Sequence, residues 1–164
     1  IYNSKPVIAE VNGVATAAGC QLVASCDLAY ASDNSKFATP GVNIGLFCST
    51  PMVALSRVIK NKHAMEMLLM GDFIKADKAK SIGLINNCFK EQDLSNEVNL
   101  IANKISNKSS LTIKIGKKAF YDQVEMNIID AYKHASEVMI RNMMQADSKE
   151  GIKAFIEKRQ PNWN

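Results

Sequence analysis

The stretch Asn12–Asp27 holds the residues whose types and spacing best suit chemistry. It turns at Asn12-Gly13, passes several small residues, and enters an amphipathic segment that ends at Cys26-Asp27. This order predicts a helix whose first turn carries small side chains, so that a ligand can approach the backbone. The unpaired N–H groups and the positive end of the helix dipole can hold negative charge there. The stretch therefore predicts a site for an anion or an oxyanion.

Short extended segments on both sides of this helix would position it. Before it, the apolar run Pro6–Val11 predicts a strand of the kind found in sheets that are covered on both faces. After it, Leu28–Ala31 and Phe37–Pro40 predict two more short strands. Strand, helix and strand within so short a length indicate a compact crossover unit and an α/β layer.

Further helices follow this layer. Cys48–Pro51 predicts an N-cap with proline in the first turn of a helix that ends near Lys60. Asn61 is placed as the cap of the next helix. Ala76–Ile82 predicts a short helix with Gly83 as its C-terminal stop.

The composition changes near residues 88–92, where purely helical spacing of apolar residues begins. Asp147, with Glu150 three residues later, predicts a capping box that starts the last helix. Pro161 prevents this helix from continuing. These patterns predict a core over residues 1–89 and a helical region over residues 90–164.

The overall composition is that of an ordinary globular protein, with 47% hydrophobic residues, 22% charged residues and a formal net charge of +4. A mild positive charge suits anionic small ligands as well as nucleic acid. Because the basic residues do not cluster with an aromatic platform, nucleic acid is not predicted as a partner. No apolar run reaches the roughly 18 residues of a membrane span, so no membrane segment is predicted.

The cysteines and histidines do not have the spacing of a metal site. None of the four cysteines forms a CxxC pair, and the two histidines, His63 and His134, are distant from them in sequence. Free thiols in a reducing compartment are the preferred interpretation, and no metal is predicted. The four are Cys20, Cys26, Cys48 and Cys88.

Several motifs, spread over nearly the whole chain, occur in an order that is typical of one family. They are Lys5-Pro-Val-Ile-Ala, Asn12-Gly13 with its small-residue turn, Leu22 to Asp27, Phe37-Ala38-x-Pro40, Gly71-Asp72-x-Ile74-x-Ala76, and Glu150-Gly151-x-x-Ala154-Phe155-x-Glu157-Lys158-Arg159. In this order they resemble the crotonase (enoyl-CoA hydratase/isomerase) superfamily. Cys20–Asp27 together with Gly45–Pro51 is most similar to one branch of that superfamily. The resemblance implies an α/β fold, a crotonase-like spiral of ββα units followed by a C-terminal helical region that forms trimers.

The resemblance also implies a chemistry. The family binds acyl-CoA thioesters and stabilises a thioester enolate with two backbone N–H groups. One of these donors corresponds to Ala18, where the family usually has glycine, and the other to a part of the family that precedes Ile1. A donor aimed at charge that develops in the transition state contributes about 10²–10³ in rate.

Two departures from the family weaken the expectation of hydration. The two glutamates of its hydratases correspond to Gln21 and Gly41 in this sequence. An amide cannot accept a proton from water, and glycine offers no side chain. Since each positioned acid or base contributes about 10²–10⁴-fold, we expect little hydration. The hypotheses that remain are an enolate reaction without a glutamate pair, such as isomerisation or thioester cleavage, simple acyl-CoA binding in fatty acyl-CoA metabolism, or a non-catalytic assembly or regulatory subunit.

Other roles rest on the resemblance alone. It places Thr39, Leu46, Phe47 and Cys48 along the acyl pocket, and we favour a buried thiol over a nucleophile for Cys48. Phe155 and Lys158 correspond to residues that meet the adenine and phosphate end of CoA, with a core phenylalanine and a solvated lysine as the alternative. No cofactor is implied beyond CoA as part of the substrate. The implied assembly is a homotrimer or a dimer of trimers, and the implied location is mitochondrial.

Overall fold

The computed structural model describes residues 3–163, which form two compact units. One unit is Val7–Ala102, and the other joins the residues up to Pro6 to those from Asn103 onward. The predicted division into 1–89 and 90–164 stays a prediction, and Ile1, Tyr2 and Asn164 within it lie outside the described residues. The helical pattern expected from residues 88–92 begins in the structure at Glu91.

The strands of the described chain all lie in the unit Val7–Ala102 and form two three-stranded sheets, ordered β1-β3-β6 and β2-β4-β5. Strands β1 and β3 are parallel, as are β3 and β6, and β2 and β4, whereas β5 runs antiparallel to β4. The strands are β1 Ile8–Val11, β2 Val14–Thr16, β3 Leu28–Ser32, β4 Lys36–Ala38, β5 Ile74–Lys75 and β6 Asn87–Phe89.

The helices of the described residues include one 3₁₀ helix, Pro40–Ile44. The α-helices are α1 Ala18–Ser25, α2 Ser49–Val58, α3 Asn61–Met70, α4 Ala76–Ser81, α5 Glu91–Ser106, α6 Ser110–Gln123, α7 Ile128–Met143 and α8 Ala146–Ile156. None of them is long and apolar enough to cross a membrane.

Most predicted helices are present with small shifts at their ends. Helix α2 has Cys48 as its N-cap and Pro51 in its first turns, as predicted. Helix α4 ends at Ser81, and Gly83 follows in a left-handed conformation with φ +85°, which confirms it as the stop. Asn61 is wrong as a cap, because it is the first residue of α3 and Lys60 is the N-cap.

The sequence does not predict strands β2 and β5 or the 3₁₀ helix. The sequence predicts only a turn over residues 12–17, but Val14–Thr16 pairs in parallel with Lys36–Ala38. Three residues are too few to show a recognisable alternation of apolar and polar side chains. The pairing that stabilises them comes from a distant part of the sequence, so local patterning cannot show it.

The capping box predicted at Asp147 is also wrong. Helix α8 begins at Ala146 with Gln145 as its N-cap, so Asp147 lies inside the first turn. Its side chain is buried, and Oδ2 accepts a hydrogen bond from the Ser109 hydroxyl at 2.5 Å. Ser109 is itself the N-cap of α6, where its side chain accepts the Thr112 N–H. The Asp147 carboxylate therefore links the first turn of α8 to the N-cap of α6, and it does not cap α8.

The core of the unit Val7–Ala102 is centred on a few fully buried side chains, among them Phe37, Leu55 and Leu68. Strand β1 is less buried than predicted, since only Val11 is buried while Ile8 and Ala9 are half-buried. Strand β1 also lies at the edge of its sheet, where it pairs with β3 alone among the described strands. The near-continuous apolar run does not indicate this edge position.

Candidate functional site

The carboxyl ends of β2 and β4 meet at the start of α1. Thr16 is paired with Ala38, and the pairing continues one step further because the Ala17 N–H donates to the Ala38 carbonyl oxygen at 3.0 Å. The two strands then diverge, one into α1 and the other through Thr39 into the 3₁₀ helix. Parallel strands commonly bind ligands at their carboxyl ends, so this edge is the candidate site.

Ala17 is the strained residue at this edge. Its backbone has φ 47° and ψ −112°, a region that residues with a side chain rarely adopt. Such a conformation costs about 1–3 kcal/mol and persists only where the surrounding structure holds it. Ala17 is the N-cap of α1, and its carbonyl oxygen accepts the Gln21 N–H at 3.0 Å. Sequence reasoning singled out Ala18 and missed Ala17, for which the run of small residues was the available signal.

Ala18 is the first residue of α1 and is exposed. Within residues 3–163 its N–H has no backbone acceptor, and no side chain caps the helix. Its φ is not among the positive values, so the methyl group in place of hydrogen is tolerated there. An open, uncapped helix start is the arrangement that the predicted oxyanion donor requires.

Gln21 lies one turn along α1 from Ala18, and residues at this spacing share a face of a helix. The side chain is half-buried, and its carboxamide forms no hydrogen bond with any described residue. The Gln21 carbonyl oxygen, by contrast, accepts the Ser25 hydroxyl. The free Gln21 carboxamide therefore shares a face of α1 with Ala18, at the uncapped start of the helix.

Gly41 is required by close packing. A Cβ built on it would lie 2.8 Å from the Leu46 carbonyl oxygen and 3.0 Å from Cys48 Sγ. The Leu46 N–H also donates to the Gly41 carbonyl oxygen at 2.9 Å, which closes the loop over this residue. Position 41 therefore has no room for a side chain, because the backbone of the loop occupies the space that a Cβ would need.

The four residues predicted to line the acyl pocket have different environments. Leu46 and Phe47 are 64% and 42% exposed, whereas Thr39 and Cys48 are buried. The Thr39 hydroxyl has no hydrogen-bond partner among the described residues. An unpaired buried hydroxyl costs about 1–3 kcal/mol, so it needs an explanation beyond packing.

The thiols at the site are buried. Burial and, to a lesser degree, the nearby Cys48 raise the pKa of Cys20 to about 12, so Cys20 remains a neutral thiol. Cys48 is 9% exposed, which agrees with the preferred interpretation of a buried thiol. Neither cysteine is a surface nucleophile. Among the described residues, no group of three or more histidines, cysteines or carboxylates could hold a metal ion.

Asp27, just beyond α1, has a structural role. Its carboxylate accepts the Val7 N–H at 2.7 Å, and its own N–H donates to the Val7 carbonyl oxygen at 3.0 Å. These two bonds link the connection between α1 and β3 to the residue that precedes β1.

In the other unit, most of the C-terminal motif has a structural explanation. The Glu150 carboxylate accepts two hydrogen bonds from the Arg159 guanidinium, at 2.6 and 3.0 Å, and one from the Asn162 N–H at 2.9 Å. A Cβ on Gly151 would lie 3.3 Å from the Trp163 ring, so glycine allows the ring to pack there. These contacts fold the tail back along α8.

Phe155 and Lys158 are the exceptions in this motif. Phe155 is 85% exposed, and Lys158 is exposed with φ +53°, a left-handed conformation that usually belongs to glycine. Lys158 forms no ion pair with any described residue, while its neighbour Arg159 is held by Glu150 and Glu157. The alternative of a core phenylalanine is wrong.

The Glu150 contacts predict a loss of stability in acid. The hydrogen bonds from Arg159, followed by that from Asn162, lower the pKa of Glu150 from 4.5 to about 2. Because the pKa is lower in the folded state, the stabilisation is present above pH 4.5 and is lost as the pH falls from 4.5 towards 2. In acid unfolding followed by circular dichroism, Glu150→Gln should therefore be less stable than wild type near neutrality. The stabilities of the two proteins should become equal as the pH approaches about 2.

The matched control for this prediction is Glu137→Gln, which makes the same chemical change at an exposed position of α7. The stability of Glu137→Gln should change between neutral and acidic pH by the same amount as that of wild type. An equal pH dependence for Glu150→Gln and wild type would contradict the assigned role of Glu150.

A sequence model of the enoyl-CoA hydratase/isomerase family matches residues 1–164, and the chain belongs to that family. It is 56% identical over 158 residues to enoyl-CoA hydratase domain-containing protein 3, mitochondrial, of Xenopus laevis, covering 96% of this chain and 54% of that protein. The crystal structure of the human protein of the same name matches with a TM-score of 0.96 and 51% identity, over 98% of this chain and 64% of the other. The crystal structure of an enoyl-CoA hydratase from Mycobacterium smegmatis also gives a TM-score of 0.96, at 49% identity over 98% of this chain and 62% of the other.

These matches confirm the predicted α/β crotonase fold and the predicted branch of the superfamily. The chain spans about half the length of the curated relatives it matches, 54% in the case of the frog protein.

Proposed function

We propose that this protein binds acyl-CoA thioesters, stabilises thioester enolates through the Ala18 N–H, and does not hydrate enoyl thioesters efficiently. The observation that carries the proposal is the uncapped, exposed start of α1 beside the strained Ala17. An oxyanion needs donors that are already oriented and otherwise unsatisfied, because such donors need no reorganisation during the reaction. The second family donor is outside this sequence and belongs to the proposal only by resemblance.

The proposed lack of hydration follows from Gln21 and Gly41. Hydration needs one group to activate water and another to handle the α-proton. Gln21 supplies an amide, and the backbone contacts of Gly41 exclude any side chain at the second position. The proposed setting is fatty acyl-CoA metabolism in mitochondria, which the names of the relatives support.

Phe155 and Lys158 are the proposed contacts for the adenine and phosphate end of CoA. Glu150, Gly151 and Arg159 of their motif have packing or hydrogen-bond partners, whereas the Phe155 ring is 85% exposed and the Lys158 side chain forms no ion pair in the described chain. Phenylalanine can supply a stacking face, and lysine a mobile cation for phosphate.

Lys158→Gly tests this contact and separates it from a role in folding. Glycine relieves the left-handed conformation, so the variant should gain about 1 kcal/mol and melt a few degrees higher. It should also bind CoA about 2- to 5-fold more weakly in calorimetric titration, the range of one exposed ion pair. Lys149→Ala, which removes a charge from an exposed position of α8, should leave CoA affinity unchanged. Unchanged affinity in Lys158→Gly would contradict the contact.

A second candidate is a non-catalytic assembly subunit, favoured by the exposed apolar side chains of α7. They include Ile128, Ile129, Tyr132, Met139, Ile140 and Met143. This surface also supports the proposed homotrimer or dimer of trimers. If saturating acyl-CoA gives neither heat nor thermal stabilisation, the assembly role is favoured over the acyl-CoA role.

A further inference from the structure

We propose that the solvent-facing side of the sheet β2-β4-β5 binds a phosphate monoester between Lys36 and Lys75, and that this ligand is a molecule other than the acyl-CoA. The two residues, which we call the lysine pair, lie directly opposite each other on neighbouring antiparallel strands. Like charges in this arrangement destabilise a sheet unless an anion joins them.

The register of β4 and β5 brings the lysine pair together. Lys36 is paired with Lys75, and Phe37 is paired with Ile74. Phe37 is fully buried whereas both lysines are exposed, so the lysines share the face of the sheet that is turned away from the core. The Cβ atoms of directly opposite residues lie about 4.5–5.5 Å apart, which is close enough for the two charges to repel each other.

No carboxylate of the described chain neutralises the lysine pair. Neither lysine forms an ion pair or a side-chain hydrogen bond with a described residue. Lysine is common on edge strands, where its charge discourages pairing with another chain. This explanation suits Lys75 on β5, but β4 lies between β2 and β5. It therefore does not account for Lys36.

Exposed apolar side chains adjoin the lysine pair. Val14 is paired with Lys36 across β2 and β4, and it is 64% exposed. Phe73, which directly precedes β5, is 55% exposed. The surface therefore offers two cations for an anionic group and apolar side chains for the organic part of the same ligand.

A phosphate monoester matches this combination of charge and apolar surface. Near neutral pH it carries about −1.5 to −2 charges, so one such group can neutralise both lysines. A carboxylate carries a single charge and would leave much of the repulsion in place. Lysine binds phosphate as a compact, mobile cation and needs no fixed fork geometry. The organic part of a monoester can also contact Val14 or Phe73, which inorganic phosphate cannot do.

The lysine pair lies at the opposite end of the strands from the candidate site at the start of α1. Lys36 is the first residue of β4, and Thr39 follows the last one. At about 3.3 Å per residue, the three steps between them span roughly 10 Å. Because CoA also contains a phosphate monoester, the experiment has to separate the two ligands.

The test measures the binding of phenyl phosphate to the longest natural form of the protein, by calorimetric titration in phosphate-free buffer with saturating acetyl-CoA. Phenyl phosphate should bind, and benzenesulfonate, which has a similar shape but a single charge, should bind about 2- to 5-fold more weakly. Lys36→Gln and Lys75→Gln should each weaken the binding of phenyl phosphate by about the same factor. Lys114→Gln, at an exposed position of α6, should leave it unchanged.

Thermal unfolding without ligand separates this binding role from a role in folding. Each substitution in the lysine pair removes the repulsion, so each variant should melt about 1–4 °C higher than wild type, whereas Lys114→Gln should not. The double variant should melt no higher than the more stable single variant, because the repulsion is removed only once.

Three results would overturn the proposal. The first is a lower melting temperature in the lysine-pair variants, because another part of the protein would then neutralise the two charges. The second is that phenyl phosphate does not bind in the presence of acetyl-CoA. The third is that its affinity is the same in wild type and in the two single variants.

Discussion

Gly41→Glu is expected to destabilise the protein by about 1–3 kcal/mol, the usual cost of overpacking, instead of restoring a catalytic carboxylate. The clash arises at Cβ, because the nearest atoms are the Leu46 carbonyl oxygen and Cys48 Sγ, at 2.8 and 3.0 Å. The carbonyl oxygen is part of the loop backbone and cannot rotate away as a flexible side chain could. Gly41→Ala should therefore already show most of the loss in chemical denaturation.

Gly116→Ala is the matched control for this prediction. Gly116 lies within α6, and a Cβ built on it meets nothing within 4 Å. The same substitution there should stabilise the protein by about 0.5–1 kcal/mol, because alanine favours the helix. If Gly41→Ala matched the wild type in stability, the close-packing account of position 41 would be wrong.

The α/β fold can be predicted from the sequence because local signals for its helices and strands occur along the whole chain. Cys48 and Pro51 mark the start of α2, and Gly83 marks the end of α4, through local backbone chemistry. Strand β2 is not predicted because its three residues are stabilised by pairing with β4, and they show no alternation of apolar and polar side chains that would indicate a strand. Asp147 is misassigned because a buried bond to Ser109 outweighs its suitability as a cap.

The candidate site is predicted only in part. Residue type and resemblance locate Ala18, Gln21 and Gly41, but they do not show that Ala17 carries the strain. They also do not show why position 41 is glycine, since this depends on a carbonyl oxygen five residues later in the chain. The unpaired hydroxyl of Thr39 is likewise a property of three-dimensional packing. Each of these features arises from contacts that are not periodic in sequence.

Hydration is the second large effect that we expect. Each lost acid or base reduces the rate by about 10²–10⁴-fold, so the wild type should hydrate crotonyl-CoA at close to the rate in buffer. Gln21→Glu returns one carboxylate to the face of α1 that carries Ala18, and the position tolerates this because its side chain is only half-buried. We expect that variant to gain about 10-fold or more, with the second position still empty. Gln92→Glu, the same change at an exposed position of α5, should gain nothing.

The most direct test of the central claim, that the site retains an enolate-stabilising helix start but lacks hydratase acid–base groups, is turnover of crotonyl-CoA. The loss of enoyl thioester absorbance is measured for the longest natural form of the protein beside its Gln21→Glu and Gln92→Glu variants. The account predicts turnover near background for the wild type and for Gln92→Glu, and a measurable gain for Gln21→Glu. Rapid hydration by the wild type, with Gln21 and Gly41 in place, would contradict it.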